Sequence, residues 1–423
     1  MFSPATSILR RKRICIVTNA PISQNPRVVK EADALSAAGH DVTVLFAQHV
    51  EWSRPFDQTI MAKAAWRAHA VEVWPGGWRR AFLRNVVGAR AWFFRVLARV
   101  STRAPIAELA YSRYFVEQLW LAYRVRADLY IGHNPPSLPV VAWAAKLRSA
   151  RYGFDFEDFH QGQAAASEAG SLPNRLLAIL EARYVPKADH LTAASRGIAE
   201  EVAKLHDIAA PPTILNVFNW GDRVQLACKP SDARRREHLS LYWYSQIVSL
   251  DRGLQDVIRA IGKVREPVTL AIRGDVTAEA KSELLALARA CGVEERITFL
   301  PVIHPDELLA AAADYDIGLC LEVPSTLNRD ICITNKIFFY MLAGLAVVAS
   351  RTRGHEDVFK LRPGVGFLYP SGDAAALAGV LDRLAQDGEL LAGTKAQALA
   401  AARERWNWEQ ESRLLVSAID ALA

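Results

Sequence analysis

The strongest constraint on this chain is a rhythm that occurs twice: short apolar runs rich in Val, Ile and Leu alternate with segments whose apolar positions recur at helical spacing. Residues 13–18 (RICIVT) read as a buried strand, 26–38 as a helix ended by Gly39-His40, and 41–46 (DVTVLF) as the next strand. Further strands are expected at 129–131, 152–154, 190–192 and 213–215. A second series follows at 239–244 (LSLYWY), 268–273 (VTLAIR), 297–299, 317–321 (IGLCL) and 346–350 (AVVAS). Strands separated by helices of about ten residues or more imply parallel sheets covered on both faces.

Between the two series, residues 222–238 are charged, contain Pro230 and run through Arg234-Arg235-Arg236. This composition suits an interdomain linker. The expected organisation is an α/β chain of two Rossmann-like domains facing across a cleft: an N-terminal domain at 1–221, the linker at 222–238, and a C-terminal domain at 239–405. A terminal helix occupies 406–423. At 423 residues the chain exceeds one typical core. In such folds, ligands sit beyond the C-terminal ends of the strands.

Composition removes several function classes. Five scattered cysteines, odd in number and mostly inside apolar runs, argue for reduced thiols in the cytoplasm and against a disulfide framework or metal-ligand spacing. The net charge of +6 is modest and no nucleic-acid motif accompanies it, so no nucleic-acid partner is expected. Among the longest uncharged runs, 337–350 has 14 residues where a membrane span needs about 20. Arg10 to Arg13 lead into a short strand instead of a cleavage site, so no secretory signal is expected.

One segment departs from the rest. Seven arginines and no acidic residue lie between Glu72 and Glu108. A helix over about 78–100 would place Arg80, Arg84, Arg95, Arg99 and Arg103 within an arc of roughly 140°. Phe82, Leu83, Val86, Phe93, Phe94, Leu97 and Val100 would take the other side. Such a helix either packs on the domain with its arginines in water or lies on an anionic membrane surface.

The turn after the first strand, residues 19–27, contains no glycine, so no dinucleotide site is expected there. Phosphate binding is better placed in the second series. Ser245, Gln246, Ser249 and Arg252 follow its first strand and Arg273-Gly274 its second. They offer hydroxyl and guanidinium donors and a side-chain-free approach for a diphosphate. After residue 321 a polar loop carries Glu322, Asn328 and Arg329, and a helix begins near Asn335-Lys336, a natural anion site. Asp155, Glu157, Asp158 and His160 cluster after a first-domain strand, either orienting acceptor hydroxyls or forming a solvated loop. Asp314-Tyr-Asp316 precedes a strand, where a helix-to-strand turn accounts for it, and no metal is expected.

Asn335-Lys-Ile-Phe-Phe-Tyr-Met-Leu-Ala-Gly344 followed by 346–350 resembles the GT-B glycosyltransferases, specifically retaining family four. Residues 26–35 with Gly39-His-Asp-Val42 are similar to that family's opening, and Tyr130-Ile-Gly-His-Asn134 to its H-x-H-type turn. The stretches 216–219, 366–373 and 406–409 match further segments in the same order. The resemblance implies a sugar nucleotide as co-substrate without a further cofactor. It also implies a hydroxyl acceptor, lipid-linked or part of a growing polysaccharide, and retention of configuration. It assigns His133 and Glu322 to the sugar. It places donor contacts in the second domain, and Asn25 and Arg27 join the cluster at 155–160 as acceptor-side candidates. One departure stands out: Phe339 occupies the place of the family's second glutamate. A nucleotide-sugar epimerase of the same fold, or a catalytically silent binding subunit, would share these features.

Overall fold

The computed structural model describes residues 11–72, 78–168, 170–223 and 238–422. Among them are twelve strands: β1 Arg13–Thr18, β2 Asp41–Gln48, β3 Arg67–Glu72, β4 Leu129–His133, β5 Arg151–Phe156, β6 His190–Ala193, β7 Leu239–Val248, β8 Val268–Val276, β9 Ile297–Leu300, β10 Ile317–Cys320, β11 Ala346–Ser350 and β12 Gly366–Tyr369. They form two six-stranded sheets, ordered β3-β2-β1-β4-β5-β6 and β12-β11-β10-β7-β8-β9. Read from β9, the second sheet repeats the order of the first. Every strand pair is parallel. Both sheets are thus doubly wound, and chain direction across each reverses at one switch point, β1/β4 in the first and β7/β10 in the second.

The chain divides into two compact units. One comprises residues 1–194, 198–214 and 412–423; the other comprises 195–197 and 215–411. Of the expected linker, residues 224–237 lie outside the described residues. The end of the C-terminal helix Trp408–Asp420 belongs to the first unit, where Lys12 Nζ donates to the Ile419 carbonyl at 2.5 Å.

Three sequence expectations need correction. β3 escaped notice because its sequence, RAHAVE, has one β-branched residue and alternates small with polar side chains, as an edge strand tolerates. β12 is short and lies at the other sheet's edge. Residues 213–215 form no strand; Thr213 makes only an isolated bridge to Ala193.

The strand cores form as the apolar runs require. Leu241, Trp243, Leu270, Ile272, Leu319 and Val348 pack with Val257, Ile258 and Ile261 of the helix Leu254–Ile261 in the second unit. In the first unit, Cys15, Val17, Leu45 and Tyr130 pack against Val140, Val141 and Ala144 of the helix Leu138–Arg148. These cores fix the strand ends, from which both candidate sites are built.

Candidate functional site

At the first sheet's C-terminal edge, charge is enclosed. The helix Pro26–Ala37 starts with Asn25 as its cap, whose side chain accepts from the Val28 amide at 3.3 Å. Two residues later Arg27 binds Asp155 through two hydrogen bonds of 2.6 and 2.7 Å and the Ile214 carbonyl at 2.8 Å. Thr192 Oγ1 donates to the same carboxylate at 2.5 Å. His133, ending β4, meets Glu31 at 2.8 Å through Nε2 and lies 3.5 Å from Asp155 through Nδ1. Arg27, Glu31, His133 and Asp155 are all buried.

Burial disfavours the imidazolium of His133, yet Glu31 and Asp155 outweigh it and its pKa is raised. Asp155 is held down to about 2: burial pushes it up, but Arg27, His133 and Thr192 pull it down further. Glu157 is raised by burial and by the neighbouring Asp155 and Asp158, and His160 is lowered by burial. Arg27, Glu31, His133 and Asp155 therefore form one network that joins the helix to the ends of β4 and β5, while Asn25 donates to Thr18 and Asn134 instead. Glu157 and Asp158 lie on the half-buried loop that follows.

At the second sheet's edge the geometry is looser. β7 continues through Ser245 and Gln246, where a loop was expected, with an irregularity between Tyr244 and Ile247. The turn Leu250–Arg252 and Gly253 then lead into the helix Leu254–Ile261. Gly253 has φ +73°, and a Cβ there would meet the Leu321 carbonyl at 2.5 Å. Glycine thus brings Arg252 close to the end of β10, beside Glu322. Among the described residues Arg252 Nε has no hydrogen-bond partner, and its nearest carboxylate, Asp251, is 3.9 Å away.

Glu322 follows β10 and pairs with Lys336 at 3.7 Å, both side chains partly open to solvent. Burial raises the Glu322 pKa, but Lys336, His355, Arg252 and Arg329 overcome it and the value is lowered. Lys336 also lies over the Trp243 ring at 5.8 Å. Exposed Asn335 and half-buried Lys336 open the helix Asn335–Ala343, whose first-turn amides carry partial positive charge. Ser350 Oγ donates to the Glu322 carbonyl at 2.6 Å, tying β11 to this corner.

Other donor-side candidates are anchored within the protein. Arg329 binds Asp251 at 2.5 Å and its carbonyl at 3.1 Å; Asp251, which also accepts from Ser249, is held at about 2 by these bonds. Arg273 donates to Tyr242 and to the Pro301 carbonyl. Asn328 is buried and accepts from Cys332. The bare Cα of Gly274 accommodates Ser245 of its own sheet, since a Cβ there would collide with the Ser245 carbonyl. Asp316 is bound by Ser240 and Lys395 at the opposite end of its strand, as the helix-to-strand reading expects.

Phe339 is buried among aromatic rings: Tyr244 at 4.7 Å, Phe218 at 5.5 Å and Tyr340 at 5.8 Å between centroids. The ring that stands where the resemblance expects a glutamate is therefore part of a packed interior. His355 escaped the sequence reading. It is fully buried, with Nδ1 on the Ser350 carbonyl at 2.7 Å, and burial lowers its pKa. Its signal was the turn Thr352-Arg-Gly-His355 directly after β11, at the same sheet edge as Glu322.

Comparisons with known proteins agree with this architecture. Residues 24–217 match a family model described as glycosyl transferase 4-like domain, and residues 240–387 one described as glycosyl transferases group 1. HepE from Anabaena, solved with UDP and glucose, superposes with a TM-score of 0.68 at 17% identity, covering 97% of this chain and 100% of that one. Sucrose-phosphate synthase from Thermosynechococcus elongatus gives 0.68 at 16%, covering 97% and 99%. A glycosyltransferase from Rickettsia africae gives 0.66 at 13%, covering 98% and 99%. A search of curated proteins returned no match.

Proposed function

From the premise that this chain belongs to the GT-B glycosyltransferases, we propose that it moves a sugar from a nucleoside diphosphate to a hydroxyl acceptor with retention of configuration. The observation that carries the donor side is the Arg252 guanidinium, loosely held beside the Glu322–Lys336 pair at the β7/β10 switch point. A diphosphate supplies the anionic oxygens that such a corner lacks, and its charge grows as the sugar departs. Arg252, Lys336 and the amides of the helix at Asn335 offset that charge, and no metal ion is required for it. Gln246 and Ser245 flank the same corner. Uridine diphosphate is the first candidate, because HepE was solved with UDP and glucose.

The transfer breaks the bond from the anomeric carbon to the phosphate oxygen and forms one to the acceptor oxygen on the same face. The acceptor proton passes to the departing phosphate, so no protein nucleophile takes part. Glu322 faces the sugar hydroxyls. His133, Arg27 and Asp155 act in this scheme as positioning residues that hold the ends of β4 and β5. Asn25 caps their helix, and Glu157, Asp158 and His160 line the loop that receives the acceptor. The acceptor class proposed is a lipid-linked glycan or polysaccharide precursor.

Calorimetric titration with UDP, ADP and GDP, followed by product analysis with UDP-glucose, tests the proposal. Selective binding of one nucleotide, weakened in Arg252→Ala, is expected. Equal affinity in the variant removes Arg252 from the donor site. Isomerisation of the sugar nucleotide without transfer would replace the proposal with an epimerase.

A further inference from the structure

The helix Trp78–Leu97 in the first unit is apolar on two opposite sides. Its inward side is narrow and made of small or flat groups. Val87 packs with Tyr114 and Val71, while Ala98, just past the helix end, packs with Phe94 against Ala107, Ala110, Leu176 and Leu180. Phe94, expected on a single apolar side with Phe93, thus belongs to the core. Phe93 does not: it is 55% exposed, as are Phe82 (66%), Trp92 (69%) and Val100 (89%), with Val86 and Val96 at 42% each. At 100° per residue these six fall within an arc of roughly 120°, centred opposite the buried side.

Monomeric proteins rarely leave such a stripe in water without a use for it. Its flanks carry arginines. Exposed Arg84, Arg95 and Arg99 run along one border, and Arg90 stands at the other, bound to Glu117 at 2.6 Å. Glu117 is thus neutralised, Glu108 is buried and bonded to Arg183, and no carboxylate lies in the chain between Glu72 and Glu108. Among the described residues no helix is long and apolar enough to cross a membrane. An apolar stripe bordered on one side by arginines without an ion pair among the described residues, and on the other by a neutral Arg90–Glu117 pair, matches a surface that is apolar below and anionic at its face. A protein partner would instead have to supply matching carboxylates around a groove.

We propose that this helix lies in the plane of an anionic lipid surface, with Phe82, Trp92, Phe93, Val96 and Val100 entering the headgroup boundary and the arginines contacting lipid phosphates. This goes beyond the transfer reaction and does not rest on it, because binding needs no turnover.

Co-sedimentation of the full chain with vesicles of equimolar phosphatidylglycerol and phosphatidylcholine, against phosphatidylcholine alone, tests it. Binding to the anionic vesicles alone is expected, falling at least about tenfold between about 0.1 and 0.5 M salt as screening shortens the reach of the arginines. Arg84→Gln and Arg99→Gln should each weaken partition by about fivefold. The pair Trp92→Ser with Phe93→Ser should reduce it by more than about tenfold while nucleotide binding and Tm stay unchanged. Trp52→Ser, equally exposed on another element, should behave as the parent. Binding that ignores lipid charge and salt, or is unaltered in these variants, overturns the proposal. So does a parent that self-associates and ignores vesicles while the Trp92/Phe93 variant is monomeric, since the stripe would then be a protein interface.

Discussion

The two sheets have the same strand order, and each gathers charge at its C-terminal edge, but they treat that charge in opposite ways. At the first, Arg27 makes three hydrogen bonds to Asp155 and the Ile214 carbonyl, and His133 sits between two carboxylates out of water. At the second, Arg252 has among the described residues only a 3.9 Å contact to Asp251, and Lys336 and Glu322 stand 3.7 Å apart, partly in solvent. Charge saturated by protein partners fixes structure and has little left to offer a ligand; charge held loosely at a switch point is available to one. The contrast predicts that equivalent truncations will damage folding at one edge and binding at the other.

The largest effect is expected at the closed edge. Arg27→Ala leaves Asp155 buried without its cation, which should cost about 3–5 kcal/mol of folding stability in denaturant titration. A loss below about 1 kcal/mol, with weakened acceptor use instead, would mean that the network opens to ligand and the contrast fails. Next in size is Phe339→Glu. It places a carboxylate among Tyr244, Phe218 and Tyr340 and should cost about 3 kcal/mol. A stable variant with tighter nucleotide binding would show that the aromatic cluster still has room for the glutamate that the resemblance expects there. At the open edge, Arg252→Ala should leave Tm nearly unchanged and cost about 1.5–3 kcal/mol of nucleoside diphosphate affinity by calorimetry.

How far the sequence reached follows the same division. Strong local signals were legible: the buried strands, the proline-led helix behind Asn25 and the helix start at Asn335. β3 was not, because an edge strand need not be β-branched or apolar. The partners of the candidate charges were not legible either, since Arg27 finds Asp155 across 128 positions and His133 finds Glu31 across 102. Asp155 read equally as an acceptor ligand or as part of a solvated loop, because a carboxylate at a strand end looks the same whether a ligand, water or an arginine faces it. The glycine at 274 was similarly ambiguous: the close approach it permits is to Ser245 of its own sheet.

The smallest effect concerns proton linkage at the closed edge. His133 has a folded-state pKa raised above its ordinary value, against the cost of burial, by Glu31 first and Asp155 second. Such a group contributes stability that is fully present below the ordinary histidine pKa near ~6.5 and is lost as pH rises through the raised value. Neighbouring His190 acts with the opposite sign: burial lowers its pKa more than Glu31 and Asp155 raise it, so its contribution is lost as pH falls. Bulk denaturation curves will show their sum, and the test must resolve the rings. In an NMR titration of the imidazole carbons, His133 should titrate above, and His190 below, a free histidine. Glu31→Gln removes the larger of the two attractions on His133 but leaves the burial, so the His133 midpoint should fall and the stability lost on raising pH should shrink. An unmoved midpoint would show that Asp155 alone holds the imidazolium, and Glu31 would then be a packing partner outside the ionic network.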